Sequence, residues 1–252
     1  MTQAGEAVSP DRKIRDRIIV ALDVDSEAEA GSIVRELGDA VGAFKIGLQL
    51  FTSVGPGVVR KICDQGNRVF LDLKFHDIPN TVAKASVEAV RLGVWMFNVH
   101  ASGGSEMMER TASEVANACE RESMARPLLI GVTLLTSSDP QTLREIGLNG
   151  TVDQHVIRLA RLTANAGLDG VVASPLEVPA IRAEVTKPNF LTVTPGIRSN
   201  RGTEDDQKRV TTIRDAVAKG SDFVVIGRPI TGSIDRLDAV ESLVNDSLAV
   251  GE

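Results

Sequence analysis

The sequence predicts a single (β/α)8 barrel. Three features predict it: short apolar runs rich in β-branched residues recur along the 252 residues, stretches with helical apolar spacing separate them, and glycine often follows those stretches. A chain of this length is typical of one such barrel and can bury a core without covalent staples.

Eight apolar runs are expected to be strands. In order they are Ile18–Val24 (IIVALDV), Ala43–Gly47 (AFKIG), Arg68–Phe75 (RVFLDLKF), Met96–Ala101 (MFNVHA), Leu128–Leu135 (LLIGVTLL), Gly170–Ser174 (GVVAS), Phe190–Ile197 (FLTVTPGI) and Phe223–Ile230 (FVVIGRPI). Near-continuous apolar runs of this kind suit strands buried on both faces of a parallel sheet.

Amphipathic stretches lie between them, among them Ser26–Leu37, Val82–Leu92, Val152–Ala166 and Lys208–Lys219. In the third, Val152, Val156, Leu159, Ala160 and Ala166 share one helical stripe, with Arg158 and Arg161 off it. Gly38, Gly66, Gly93, Gly167 and Gly220 stand where a helix ends and a left-handed backbone favours glycine. Parallel strands need crossover connections, and eight strand–helix units close into a barrel more readily than they form an open sheet. A doubly wound sheet is the alternative, but ALDVDSEAEAG after the first strand lacks the dinucleotide-binding glycines. Residues 1–16 read as a polar, frayed tail and 17–252 as the barrel domain. Long loops are expected at Ser137–Gly150 and at Ser199–Gln207.

Composition narrows the function. A net charge of −6 argues against nucleic acid as a bulk electrostatic partner, and 3% aromatics with no tyrosine argues against base-stacking platforms. The N-terminus has no apolar signal region, and no run approaches the roughly 18 apolar residues of a membrane helix. Cys63 and Cys119 have no metal-ligand spacing and fit reduced thiols. The expectation is a cytoplasmic protein.

Active sites of this fold form at the C-terminal ends of the strands. There the chain carries Asp23, Lys45, Asp72, Lys74, His100, Thr133, Thr136, Ser174, Arg198 and Arg228. Charges within apolar strands are costly unless paired, so Asp23, Lys45, Asp72 and Lys74 are expected to converge. Strand alternation puts Asp72 and Lys74 on one side, about 7 Å apart along the strand, with Lys45 able to flank Asp72. Asp77 lies beyond the strand. A structural ion-pair network is the bland alternative, but four charges on neighbouring strand ends favour a functional site.

Gly196, Arg198, Gly227 and Arg228 follow the seventh and eighth strands, the usual phosphate position of such barrels. Glycine admits close backbone approach and arginine offers a fork of donors. His76 and His100 are equally compatible with acid–base and structural roles, and His155 is expected to be exposed on its helix. No HExxH, paired-cysteine or GxSxG motif is present.

LDLKFHDIPNT at residues 71–81 closely resembles the signature of the orotidine 5′-phosphate decarboxylases. ALD at 21–23, FKIG at 44–47, VTLLTS at 132–137, VTPGIR at 193–198 and VIGRPI at 225–230 are similar to further segments of that family. The resemblance implies decarboxylation of orotidine 5′-monophosphate (OMP) to UMP, the last step of de novo pyrimidine nucleotide synthesis, with no metal and no organic cofactor. It implies a homodimer in which Asp77 serves the partner's active site. It places Asp72, Lys74, Asp77 and Lys45 in catalysis, and Asp23 and Lys45 on the ribose and the charge network. Thr81 joins the substrate contacts, and Thr136 resembles the pyrimidine-amide contact. Arg198, Gln207, Gly227 and Arg228 resemble the phosphate grip. Three alternatives stay open: a metal-assisted sugar-phosphate enzyme, a Schiff-base aldolase using Lys74, and a non-catalytic phosphate-binding barrel. Against the first, Lys45 stands where such relatives carry a carboxylate, and its charge should repel a divalent cation.

Overall fold

The structure, a computed structural model, describes residues 9–196 and 211–248. It begins with helix α1 (Pro10–Arg15) and strand β1 (Ile18–Ala21), followed by α2 (Glu27–Leu37) and β2 (Ala43–Gly47). Two helices, α3 (Leu48–Val54) and α4 (Gly57–Asp64), lead to β3 (Val69–Phe75), α5 (Pro79–Arg91), β4 (Met96–His100), α6 (Gly104–Glu122) and β5 (Leu128–Val132). Next come α7 (Pro140–Glu145), α8 (Val152–Asn165), β6 (Gly170–Val172), α9 (Val178–Glu184) and β7 (Leu191–Pro195). The last elements are α10 (Ile213–Ala218), β8 (Phe223–Ile226), α11 (Arg228–Thr231) and α12 (Arg236–Leu248). The eight strands pair in sequence order, all parallel, and β8 closes on β1.

Strand alternation divides the core in two. Ile19, Ala21, Ala43, Phe70, Met96, Ile130, Val193 and Val225 form one cluster, packed inside the barrel. The intervening residues, such as Ile18, Val20, Phe44, Ile46, Leu71 and Phe97, pack outward against the helices. Beside the inner cluster, Trp95 meets Phe223 edge to face at 5.1 Å, and the Arg68 guanidinium lies 5.5 Å from the Trp95 ring.

The elements differ from the sequence expectation mainly at their ends. α5 begins at Pro79, earlier than Val82, because proline has no N–H to lose in a first helical turn. The expected eighth strand stops at Ile226, and Arg228–Thr231 turns into a short helix. Ser137–Gly150 is not wholly loop: Asp139 caps α7 by accepting the Thr142 N–H. Part of the expected polar tail is helix α1, where Arg15 bridges Asp11 and Glu241 of α12. His155 is buried rather than exposed, with its Nε2 2.9 Å from the Asn149 carbonyl oxygen. The helical stripe was right, but the turn before α8 folds over that side chain. All five glycines expected at helix ends have positive φ.

Candidate active site

The alternation that fills the barrel also builds the site. Lys45 is two residues beyond inward-facing Ala43, Asp72 two beyond Phe70 and Asn98 two beyond Met96. Each is the next inward position toward the C-terminal mouth. Lys45 is buried, and its Nζ lies 3.1 Å from Asp23 Oδ1 and 3.4 Å from Asp72 Oδ2. Asp72 Oδ1 accepts from Lys74 Nζ at 2.7 Å. The four charges expected to converge therefore form one chain, Asp23–Lys45–Asp72–Lys74. Its first member, Asp23, has a side chain 57% exposed, while that of Asp72 in its interior is 13% exposed. In such surroundings the pairing offsets a desolvation cost that a lone buried charge would leave uncompensated.

Simple alternation does not explain Lys74. From Leu71 to Phe75 the third strand advances four residues, while its partner advances two, from Phe97 to Val99. The extra residues make a bulge, and Lys74 has φ 52°, an uncommon left-handed value for a residue with a side chain. The expected pairing with Asp72 is present, but the bulge aims it.

Asn98 was missed by sequence reasoning. It is fully buried, donates from Nδ2 to Asp72 Oδ1 at 2.7 Å, and accepts the Lys74 N–H on Oδ1 at 2.8 Å. The available signal was an amide side chain at an inward position of an otherwise apolar strand, MFNVH.

Other expected residues are spread around the same rim. Asp77 is exposed, accepts the Ile78 N–H at 2.6 Å, and joins no ion pair among the described residues. Thr81 lies exposed in the first turn of α5, and Thr136 lies exposed in the segment between β5 and α7. Thr133 donates its hydroxyl to the Val172 carbonyl oxygen at 3.0 Å, which ties β5 to β6. Gly227 and Arg228 follow β8, with Arg228 exposed at the start of α11. Arg198 and Gln207 lie outside the described residues.

His76 and His100 stack obliquely beside Lys74, with ring centroids 5.4 Å apart. Burial pushes His100 below its ordinary pKa, and the charges of His76 and Lys74 push the same way against Asp72. Among the described residues no group of three or more His, Cys, Asp or Glu side chains is placed to hold a metal ion. No helix among them is long and apolar enough to cross a membrane.

The sequence matches the family described as "Orotidine 5'-phosphate decarboxylase / HUMPS family" over residues 16–243. It is 53% identical over 238 residues to the orotidine 5′-phosphate decarboxylase of Syntrophotalea carbinolica, covering 94% of this chain and 97% of that one. It is 50% identical over 235 residues to the Geobacter sulfurreducens enzyme of the same name, covering 93% and 97%. The fold superposes on the crystal structure of orotidine 5′-phosphate decarboxylase from Lactobacillus acidophilus with a TM-score of 0.80 and 37% identity, over 92% of this chain and 99% of that one. This chain belongs to the orotidine 5′-phosphate decarboxylase / HUMPS family.

Proposed function

We propose that the protein is a carboxy-lyase that converts OMP to UMP, the last step of de novo pyrimidine nucleotide biosynthesis, without a metal or organic cofactor. One observation carries the reading: an alternating Asp–Lys–Asp–Lys chain at the mouth of a closed barrel, with Lys74 at its end. Breaking the bond from C6 of the pyrimidine to the carboxylate releases CO2 and leaves the electron pair on C6. That vinyl carbanion has little resonance stabilisation, so fixed charges must supply it. The Lys74 ammonium stabilises the developing charge and then gives C6 its proton. Asp72 holds Lys74 in place and lies where the substrate carboxylate would feel its charge, and Lys45 balances Asp72. Asp23 and Lys45 serve the ribose, Thr136 the pyrimidine amide, and Arg198, Gln207, Gly227 and Arg228 the phosphate. Remote phosphate binding then holds the reacting carbon against Lys74.

The same reading makes the protein a cytoplasmic homodimer whose barrel domain spans residues 17–252, with Asp77 completing the partner's site and Thr81 among the substrate contacts. It is supported by the exposure of Asp77 and by exposed apolar side chains that follow several strands: Leu48 after β2, Ile78 after β3, Leu135 after β5 and Leu176 after β6. Apolar side chains gathered on one rim mark a contact surface.

Turnover is tested by offering the purified chain OMP and measuring loss of the orotate absorbance, UMP formed and CO2 released. One CO2 per UMP, with EDTA making no difference, is expected. No turnover, or turnover abolished by EDTA, defeats the reading. The two-chain site is tested by mixing Asp77→Asn and Lys74→Ala variants, each inactive alone. Mixed dimers carry one intact site and should recover activity; no recovery means that Asp77 acts in its own barrel.

A further inference from the structure

We propose that Asn98 is a positioning residue, a carboxamide clamp that fixes the Lys74 ammonium relative to the Asp72 carboxylate. The inference rests on the decarboxylase reading above.

An amide side chain inside a barrel, fully buried on a strand of apolar neighbours, is unfavourable unless both its edges are hydrogen-bonded. Both are, and both partners belong to the charge chain. Nδ2 donates to Asp72 Oδ1 at 2.7 Å, and Oδ1 accepts the Lys74 N–H at 2.8 Å. The orientation of the amide follows from chemistry. A backbone N–H can only donate and an ionised carboxylate can only accept, so rotating the amide by half a turn would lose both bonds.

The bulge explains why such a clamp is needed. It shifts the register between β3 and β4, and Lys74 takes a left-handed φ of 52° within a strand. Among the described residues the other non-glycine positive values are at Ser123, which ends α6, and Asn189, which precedes β7. Those are ordinary turn positions. A left-handed residue within a strand is strained and persists only where its surroundings enforce it. The Asn98 oxygen receives the Lys74 N–H there, and so enforces it. The Asn98 nitrogen simultaneously grips Asp72 Oδ1, the same atom that receives Lys74 Nζ. The backbone and the ammonium of Lys74 are thereby tied to one rigid group on the neighbouring strand.

Asn98→Leu keeps the size but removes both the acceptor facing Lys74 and the donor facing Asp72, and adds no charge. A group that merely fills space would tolerate it. A clamp would not: kcat for OMP is expected to fall about 100-fold, the loss attached to misplacement on the order of 1 Å. KM and the affinity for UMP should stay within about 3-fold, because phosphate and ribose contacts lie on other strands. Asn98→Ala should lower kcat in the same selective way. Wild-type protein in the same assay separates the two claims. Absence of wild-type turnover sinks the decarboxylase reading. Wild-type turnover with a folded Asn98→Leu variant of unchanged kcat, or with a change in KM alone, overturns the clamp. If neither variant folds, amide hydrogen exchange on the wild-type protein decides. The Lys74 N–H should exchange slowly although Lys74 is only partly buried, and fast exchange overturns the proposal.

Discussion

Gly47→Ala perturbs the charge chain without changing any charge. Gly47 ends β2 with φ −96° and ψ −174°, a conformation open to alanine, so the backbone need not move. A Cβ there would lie 3.0 Å from Lys45 Nζ and 3.4 Å from Asp23 Oδ1. Relaxed contacts of a methyl carbon lie nearer 3.5–4.0 Å, so the ammonium must retreat by about 0.5–1 Å. Lys45 Nζ is already 3.1 Å from Asp23 and 3.4 Å from Asp72, and a retreat of that size loses one of them. In the free protein Asp23 is largely exposed, so water takes up the loss and stability should change by less than about 1 kcal/mol. With substrate bound, that water is displaced, and a lost charge-assisted bond costs about 1.5–3 kcal/mol. At about 1.4 kcal/mol per tenfold, kcat/KM for OMP should fall about 10- to 100-fold. Gly57→Ala is the control, since a Cβ at Gly57 meets nothing within 4 Å. Steady-state kinetics and thermal unfolding of both variants are the assay. A Gly47→Ala enzyme with unchanged kcat/KM, or one that loses stability in step with activity, would refute the reasoning.

Three further outcomes are expected. Gly131→Ala would set a methyl 2.6 Å from Thr163 Oγ1, whose hydroxyl is buried and bonded to the Leu159 carbonyl, so β5 and α8 must part. Denaturant unfolding should show a loss of about 1–3 kcal/mol, the usual cost of overpacking, with activity per folded molecule retained. Because His100 is held below its ordinary pKa, the unfolded chain binds the proton more readily. Its contribution is complete above about pH 6.5 and drains away as pH falls through the lowered folded value. His100→Asn should therefore flatten the fall of unfolding temperature between pH 7 and 5; an unchanged fall would place its cause elsewhere. Arg228→Ala should lower kcat/KM for OMP about 10- to 100-fold, as loss of a charged hydrogen bond does, and leave kcat/KM for orotidine, which has no phosphate, unchanged. Equal loss on both substrates would remove Arg228 from the phosphate grip.

The barrel was legible because its rules are local. Apolar runs such as IIVA and AFKIG can be buried on both faces only in a parallel sheet, and each helix-ending glycine marks a unit boundary. Three of the four converging charges follow from register: Ala21 pairs with Lys45, and Gly47 with Asp72, which sets Asp23 and Asp72 at one level and Lys45 two residues below, where its long side chain reaches both carboxylates. Lys74 was placed correctly for an incomplete reason. Alternation predicts its side, but a bulge and a left-handed backbone deliver its ammonium to Asp72. Asn98 stayed hidden because a single amide in MFNVH carries no charge to be balanced, and its two partners lie 24 and 26 residues away in sequence. His155 was misjudged because its burial depends on the turn before its helix rather than on the helical stripe.

The most direct test of the central claim is Lys74→Ala compared with wild type on OMP. Asp72 would keep Lys45 and Asn98 as partners, so the fold and the binding of UMP should survive. The expected result is a folded protein that binds UMP as wild type does and has lost nearly all decarboxylation. A folded variant with near-wild-type turnover would contradict it.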